Sequence, residues 1–384
     1  MALAGMDMMN QERIPVNLLT GFLGSGKTTL LNSWLRDPAF ADVAVIVNEF
    51  GEIGIDHTLI AASNDNTIEL STGCLCCSVS GDLVTTLREL NEKRARGEIR
   101  PFTRVFIETT GVADPVPVIQ SLMTFPVAGR YVLNRIITVV DALHGQRTIT
   151  DFEEAARQVV VADDIILSKT DLAAVPDELV ALLKARNPSA RVLLSSSSAP
   201  VMPTQLLEPG AFNPQAEVRD MDAWLVASGL APAKADEHSD AHAAHRHHAH
   251  DHTHHDHAHD GHAQHGHTHK HSHHHHGSDF TTFTLTFDEA LAWEHVAHWL
   301  DALVIAHGDD LLRVKGILNI EGQDKPVVVQ SVQRLFHPPF QLPSWPASGA
   351  SSRIVFITRG LTRDYVSRVL ATITSRPEPS RLAG

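Results

Sequence analysis

The chain has 384 residues, 43% of them apolar and 20% charged. That is enough to bury at least one large core, and roughly 150 residues per domain predicts two to three domains. The formal net charge of −14 is opposite in sign to the basic footprint of a sequence-blind nucleic-acid binder, so no nucleic-acid partner is expected. No apolar run reaches the roughly 18 residues of a membrane span. The start, MALAGMDMMNQERIPV, has no basic patch ahead of an apolar core, which predicts a cytoplasmic protein without a secretory signal.

Residues 1–14 read as a tail. From there to about residue 205, short β-rich runs alternate with amphipathic stretches. Residues 16–19, 43–47, 105–107, 136–140, 165–167 and 192–194 read as buried strands, and 67–70 as a further apolar segment. Helical patterns cover 28–35, 82–96 and 152–160. Strand alternating with helix predicts an α/β domain with a mostly parallel, doubly wound sheet. Residues 200–214 are proline-rich and read as a connector, with a short helix at 221–229. Between 236 and 279 the chain is mostly His, Asp, Ala and Gly, which predicts a mobile loop inside a linker spanning 206–279. Residues 280–375 then give strand 280–287, helix 288–306, strands 311–320, 327–336 and 353–358, and helix 362–373. That order predicts a smaller α+β domain with its helices on one face of an antiparallel sheet, followed by a tail at 376–384.

Residues 21–28 read GFLGSGKT, a complete G-x-x-x-x-G-K-[ST], set between a predicted strand and a predicted helix. Gly21, Gly24 and Gly26 let the backbone turn its N–H groups toward phosphate, aided by the partial positive charge of the helix N-terminus. Lys27 is expected to reach the β- and γ-phosphates, and the Thr28 hydroxyl to ligate Mg²⁺. The strand at 105–107 runs into Glu108 and then Gly111. An acid at that place can hold Mg²⁺ or its water, and the Gly111 amide can face a γ-phosphate. Lys27, Glu108 and Gly111 are therefore the candidate catalytic residues. Residues 168–171 read S-K-T-D after a strand. Asp171 can accept from two guanine donors that adenine lacks, and the Lys169 stem can lie over the base. Residues 195–198 could edge the base.

All three cysteines, Cys74, Cys76 and Cys77, form one C-x-C-C cluster. Three cysteines within four residues cannot frame a disulfide scaffold and predict metal or redox chemistry in a reducing compartment. In an extended segment Cys74 and Cys76 share a side, which suits a borderline-soft ion such as Zn²⁺. A fourth ligand must come from elsewhere, and a redox pair is the competing reading. Glu49 and Glu52 follow the second strand and could add oxygen ligands. His57 and His144 are further candidates.

In one order the chain carries GFLGSGKTT, NEFGEIGID, TGCLCC, ETTGVADP, TVVD and SKTD. Together these resemble the CobW-type metallochaperone GTPases, also called zinc-regulated GTPase metalloprotein activators. The motifs span residues 15–171, and residues 280–375 are similar in layout to the family's C-terminal domain. The resemblance implies a P-loop GTPase fold, relatedness to the nickel-inserting GTPases, and GTP hydrolysis coupled to metal transfer to a client metalloprotein. It assigns nucleotide contacts to Gly21, Gly24, Ser25, Gly26, Lys27, Thr28 and Thr29 and to Ser168, Lys169 and Asp171. It assigns metal thiolates to Cys74, Cys76 and Cys77. Ser168 stands where the family more often has Asn. The C-P-E-L-V-P-I docking motif of eukaryotic members is not in the sequence.

Of 26 histidines, 20 lie between His238 and His276. Overlapping imidazole sites bind Zn, Ni, Co or Cu with capacity rather than fixed geometry. The expected function is a GTP-dependent zinc chaperone. The alternatives are cobalt delivery for cobalamin synthesis or nitrile hydratase activation, and a non-catalytic histidine-rich metal buffer.

Overall fold

The computed structural model describes residues 13–48, 67–70, 78–207, 280–345 and 349–374. The strands of the first part are β1 (Ile14–Gly21), β2 (Val43–Asn48), β3 (Thr67–Leu70), β4 (Arg104–Glu108), β5 (Tyr131–Asp141), β6 (Asp164–Ser168) and β7 (Arg191–Leu194). They form one sheet in the order β3-β2-β4-β1-β5-β6-β7. Every pairing in it is parallel. Side chains alternate between its faces, as a two-residue period requires. Val16, Leu18, Val105 and Ile107 pack with Leu83, Leu87 and Ile119 on one face. Leu19, Val45 and Phe106 pack with Leu30, Trp34 and Phe40 on the other. The helices concerned are α1 (Lys27–Trp34) on the second face and α2 (Ser78–Ala95) and α3 (Val116–Met123) on the first. This is the doubly wound arrangement that the alternation of strand and helix predicts.

Further along the chain come α4 (Gly145–Asp151), α5 (Glu153–Val161), α6 (Asp177–Arg186) and the short α7 (Thr204–Leu207). α7 lies inside the expected connector and buries Leu206 and Leu207. The predicted helix at 221–229, the histidine loop, most of the linker and the tail at 376–384 fall outside the described residues.

The C-terminal part contains β8 (Phe280–Phe287), α8 (Trp293–His307), β9 (Leu311–Leu318), β10 (Val327–Val332), β11 (Leu335–Phe336), β12 (Phe340–Gln341), β13 (Ser352–Arg359) and α9 (Arg363–Thr374). Its antiparallel sheet has the order β11-β10-β9-β13-β8, with β12 on β10. Trp299 and Leu303 of α8 and Val366 and Leu370 of α9 pack with Val314 and Phe356 of the sheet. The Trp299 indole N–H donates to the Val366 carbonyl at 3.0 Å. Two boundaries differ from the sequence expectation. The single strand expected at 327–336 folds back on itself: Gln333 takes a φ of 48°, and Val332 pairs with Leu335. The helix expected from 288 begins at Trp293, because Leu291 bridges to Ile320 and its amide is held by Asn319.

The remaining sheet face meets the first domain. Leu312 and Ile357 pack with Val160 of α5. Beside them Asp163, just before β6, faces Arg313 and Lys315 of β9, with Lys315 Nζ 2.8 Å from its carboxylate. All three side chains are buried. The other Asp163 oxygen accepts from the Ile136 amide at 2.9 Å. Losing one partner from such a cluster leaves an uncompensated buried charge, at a cost of about 3–5 kcal/mol.

Burial lowers the Lys315 pKa to about 8 from 10.5, although Asp163 opposes the shift; the charge of Arg313 adds to it. Between those two values the unfolded chain holds more protons than the folded one. Stability therefore gains a contribution from Lys315 as pH rises from about 8 toward 10.5. Urea unfolding of the parent and of Lys315→Met across that window should give a shallower pH dependence in the variant. Parallel curves would remove Lys315 as the source.

Candidate functional site

β1 is the middle strand, and Leu19 near its end registers with Glu108 of β4 and Ile137 of β5. The chain thus leaves the sheet where the strand order reverses, at the crevice formed by the carboxyl ends of neighbouring strands. Gly21, Gly24 and Gly26 have φ of 144°, 71° and 94°. At Gly21 a Cβ would also fall 2.3 Å from the Val139 carbonyl oxygen, so neither backbone nor space admits a side chain there. α1 begins directly after the loop, at Lys27.

Lys27 is buried, and its ammonium donates to the carbonyls of Gly21 at 2.7 Å and Phe22 at 3.2 Å. Burial draws its pKa below the usual lysine value, while Glu108 opposes the shift. Thr28 Oγ1 donates to Glu108 Oε1 at 2.8 Å. Glu108 is itself buried at the end of β4. Gly111, a little further on, lies against the loop: a Cβ there would sit 2.7 Å from the Leu23 amide nitrogen. Thr29 follows on α1 and is exposed, and Ser25 is buried within the loop.

The second predicted motif comes to the same place. The Ser168 hydroxyl donates to the Ser25 carbonyl at 2.6 Å. Lys169 adopts a φ of 59°, and its ammonium pairs with Asp141 at 2.7 Å. Burial would raise the Asp141 pKa, but hydrogen bonds from Lys169 and the Leu143 amide, with the Lys169 charge, hold it below the ordinary value. Asp171 is exposed and accepts from the Ser197 hydroxyl, which lowers its pKa. Thr170 Oγ1 donates to the Ser195 carbonyl at 3.0 Å, which keeps residues 195–198 beside the motif.

Lys27, Thr28, Glu108, Gly111 and Ser168 thus gather around one loop. Cys74, Cys76, Cys77, Glu49, Glu52 and His57 lie outside the described residues. His144 precedes the first turn of α4 without a side-chain capping bond and lines a cavity of about 300 Å³ beside Phe22, Ser25, Asp141, Gln158 and Lys169. Among the described residues no group of three or more His, Cys, Asp or Glu is placed to hold a metal ion. No helix among them is long and apolar enough to cross a membrane.

Some residues around the loop escape motif reading. Asp141 ends the TVVD segment, so its place was visible but its pairing with Lys169 was not. Gln158 donates from Nε2 to the carbonyls of Gly111 and Ala113, at 3.1 and 3.0 Å. Arg157 donates to Asp114 at 2.7 Å. Both come from a helix far along the chain, and nothing in their local sequence signals the contact.

The CobW/HypB/UreG nucleotide-binding domain matches residues 15–193, and the C-terminal domain of the cobalamin synthesis protein CobW matches residues 280–374. Over 362 residues the chain is 30% identical to the zinc chaperone YjiA of Escherichia coli strain K12, covering 93% of this chain and 98% of that protein. This chain belongs to the CobW family. Another relative, the zinc chaperone CobW of a Sinorhizobium species, is 32% identical over 191 residues, covering 42% of this chain and 52% of the relative. Among solved structures, the Zn(II)-bound YjiA GTPase from E. coli superimposes with a TM-score of 0.63 at 26% identity, covering 94% of this chain and 99% of that one. In this CobW-family chain both domains therefore have counterparts in a single similar protein.

Lys27→Ala removes the ammonium from the loop without altering the glycines that shape it. Titration with a fluorescent guanine nucleotide should show affinity reduced by about 10- to 100-fold, the size of one or two charge-assisted hydrogen bonds. The variant should still unfold cooperatively, at a midpoint lowered by the Gly21 and Phe22 carbonyls that lose their donor. Undiminished affinity would displace the nucleotide from this loop.

Proposed function

We propose that this chain is a GTP-hydrolysing zinc chaperone that carries Zn²⁺ on Cys74, Cys76 and Cys77 and transfers it to client metalloproteins. The observation that carries the reading is the convergence of Lys27, the Thr28–Glu108 contact and the Ser168–Ser25 bond on one glycine-shaped loop. Similarity along nearly the whole length of a protein named a zinc chaperone supports the cargo.

The roles follow from chemistry. The loop amides and the start of α1 receive the phosphates, with Lys27 against the β- and γ-phosphoryl oxygens. Thr28 and Glu108 place hard oxygen atoms side by side, a donor set that suits Mg²⁺ and not a soft ion. Mg²⁺ held there would neutralise charge building on the phosphates. Gly111 offers its amide toward the γ-phosphate, and Lys169 and Asp171 take the base. Ser168 ties the base-reading segment to the loop. The cargo differs in softness: thiolates select Zn²⁺ over Mg²⁺, so Mg²⁺ does not compete for the cysteines. The histidine-rich segment at 238–276 serves as a reservoir of weak sites.

Guanine selectivity is assigned to Asp171. Its carboxylate accepts from the N1–H and the 2-amino group of guanine; adenine has no N1–H and carries its amine at C6 instead. Asp171→Asn should weaken GTP binding by about 10-fold or more and improve xanthosine triphosphate relative to GTP, read by competition against a fluorescent nucleotide. Equal competition by ATP in the parent protein would defeat the assignment.

The function as a whole is tested by linkage. With residues 238–276 removed, Zn²⁺ is titrated against a chelator in GDP and in a non-hydrolysable GTP analogue. A gated carrier should show affinities differing by about 5- to 150-fold, and Zn²⁺ must shift analogue affinity by the same factor. The double variant Cys76→Ala/Cys77→Ala should keep nucleotide binding and lose the difference. Identical zinc affinities in both nucleotides would leave the cysteines as a static site.

A further inference from the structure

Gln158 lies in α5, is 1% exposed, and touches none of the motifs by sequence. Its side-chain amide nevertheless spends Nε2 on two carbonyls of one short segment, Gly111 and Ala113. The orientation of the amide is fixed by these contacts, because the reverse would set its oxygen against two carbonyl oxygens. Its backbone is fixed as well: Thr138 Oγ1 of β5 donates to the Gln158 carbonyl at 2.6 Å. The preceding residue, Arg157, binds Asp114 of the same segment and also Glu153, each at 2.7 Å. One helix thus holds three successive points between Gly111 and Asp114.

That segment leaves β4 immediately after Glu108 and presses Gly111 against the backbone of the phosphate loop. The Gly111 carbonyl shares its rigid peptide plane with the Val112 amide, so the bond from Gln158 fixes that plane and, through the Gly111 Cα, the place of the Gly111 amide on its other side. Gly111 has no side chain to anchor it, so the anchoring must come from outside.

We propose that Gln158 is a positioning residue that fixes the Gly111 segment in the place where it meets the γ-phosphate of a bound nucleotide. It acts through the two carbonyls. The inference rests on the reading of the loop as a GTP site. Its signature is selective: a group that orders the γ-phosphate-facing segment affects a triphosphate and leaves a diphosphate nearly untouched. A residue that merely supports the fold affects both.

The test uses the full chain with Gln158→Met, which keeps the length of the side chain and removes the donor. Gln158→Asn, which keeps an uncharged amide but withdraws it from the two carbonyls, serves as a second variant should the first not fold. Affinities for GDP and for a non-hydrolysable GTP analogue are measured by isothermal titration, and kcat and KM for GTP on the same samples. The expected result is an analogue affinity lowered about tenfold, GDP affinity within about twofold of the parent, and a reduced kcat. A loss shared equally between the nucleotides, or no loss in either, overturns the proposal. GDP binding by the parent protein tests the nucleotide site separately, so failure of that reading is distinguishable from failure of this one.

Discussion

A loop that offers backbone amides to an anion must keep its side chains and carbonyls out of the way, and the rest of this molecule is arranged around that constraint. The glycines at 21, 24 and 26 supply left-handed backbone that no other residue would adopt without strain. The carbonyls that this conformation turns to the rear are then taken up: Gly21 and Phe22 by Lys27, Ser25 by Ser168. Each of these acceptors would otherwise be a buried group left without a partner, at about 1–3 kcal/mol. The glycine-shaped loop is therefore held by the lysine and the serine of two sequence motifs far apart in the chain. Its shape and the placement of its functional side chains are one arrangement.

Much of this was legible in the sequence because it is local. GFLGSGKT carries its own turn chemistry, and the strand before it reads as an apolar run interrupted by Asn17 because both its faces are buried. The apolar pattern marks β5 only from residue 136, whereas the strand begins at Tyr131. The difference lies in Asn134 and Arg135, which look like a break in the run. In the fold Asn134 donates to Asn17 and Arg135 pairs with Asp164, so a polar stretch is buried without losing its partners. The hairpin at Gln333 was missed for a related reason: a left-handed glutamine carries none of the glycine or asparagine signals by which turns are recognised. Around the loop, motif residues were visible and their cross-chain partners were not. Asp141, Gln158 and the Arg157–Asp114 pair are set by tertiary packing between segments distant in sequence, which spacing alone does not encode.

α5 shows why such contacts matter to the whole chain. At its start the Phe152 ring packs on Phe22 of the phosphate loop, centroids 4.7 Å apart. Gln158 and Arg157 hold the segment that follows Glu108. Glu153 reaches Arg359 of β13 at 3.5 Å, and Val160 packs with Leu312 and Ile357 of the C-terminal sheet. A single rigid helix thus touches the loop, the segment beside it and the second domain. Gln120 of α3, the helix after that same segment, adds a direct hydrogen bond to Gln333 at 3.2 Å.

The junction below α5 gives this arrangement a fixed geometry. An apolar contact alone can slide, because hydrophobic burial has no direction. Asp163 cannot: one oxygen is held by the Ile136 amide and the other by Arg313 and Lys315 from the opposite domain. Burying three charges contributes little net stability, since desolvation offsets much of their attraction. Its effect is on orientation, because any displacement that separates Asp163 from its cations leaves charges unpaired away from water. A domain docked this way moves with the element that carries Asp163 or does not move at all. That element is the short stretch between the end of α5 and the start of β6, the strand that ends in Ser168. That stretch therefore connects α5, which holds the segment beside Glu108, to β6 and, through Asp163, to the C-terminal domain.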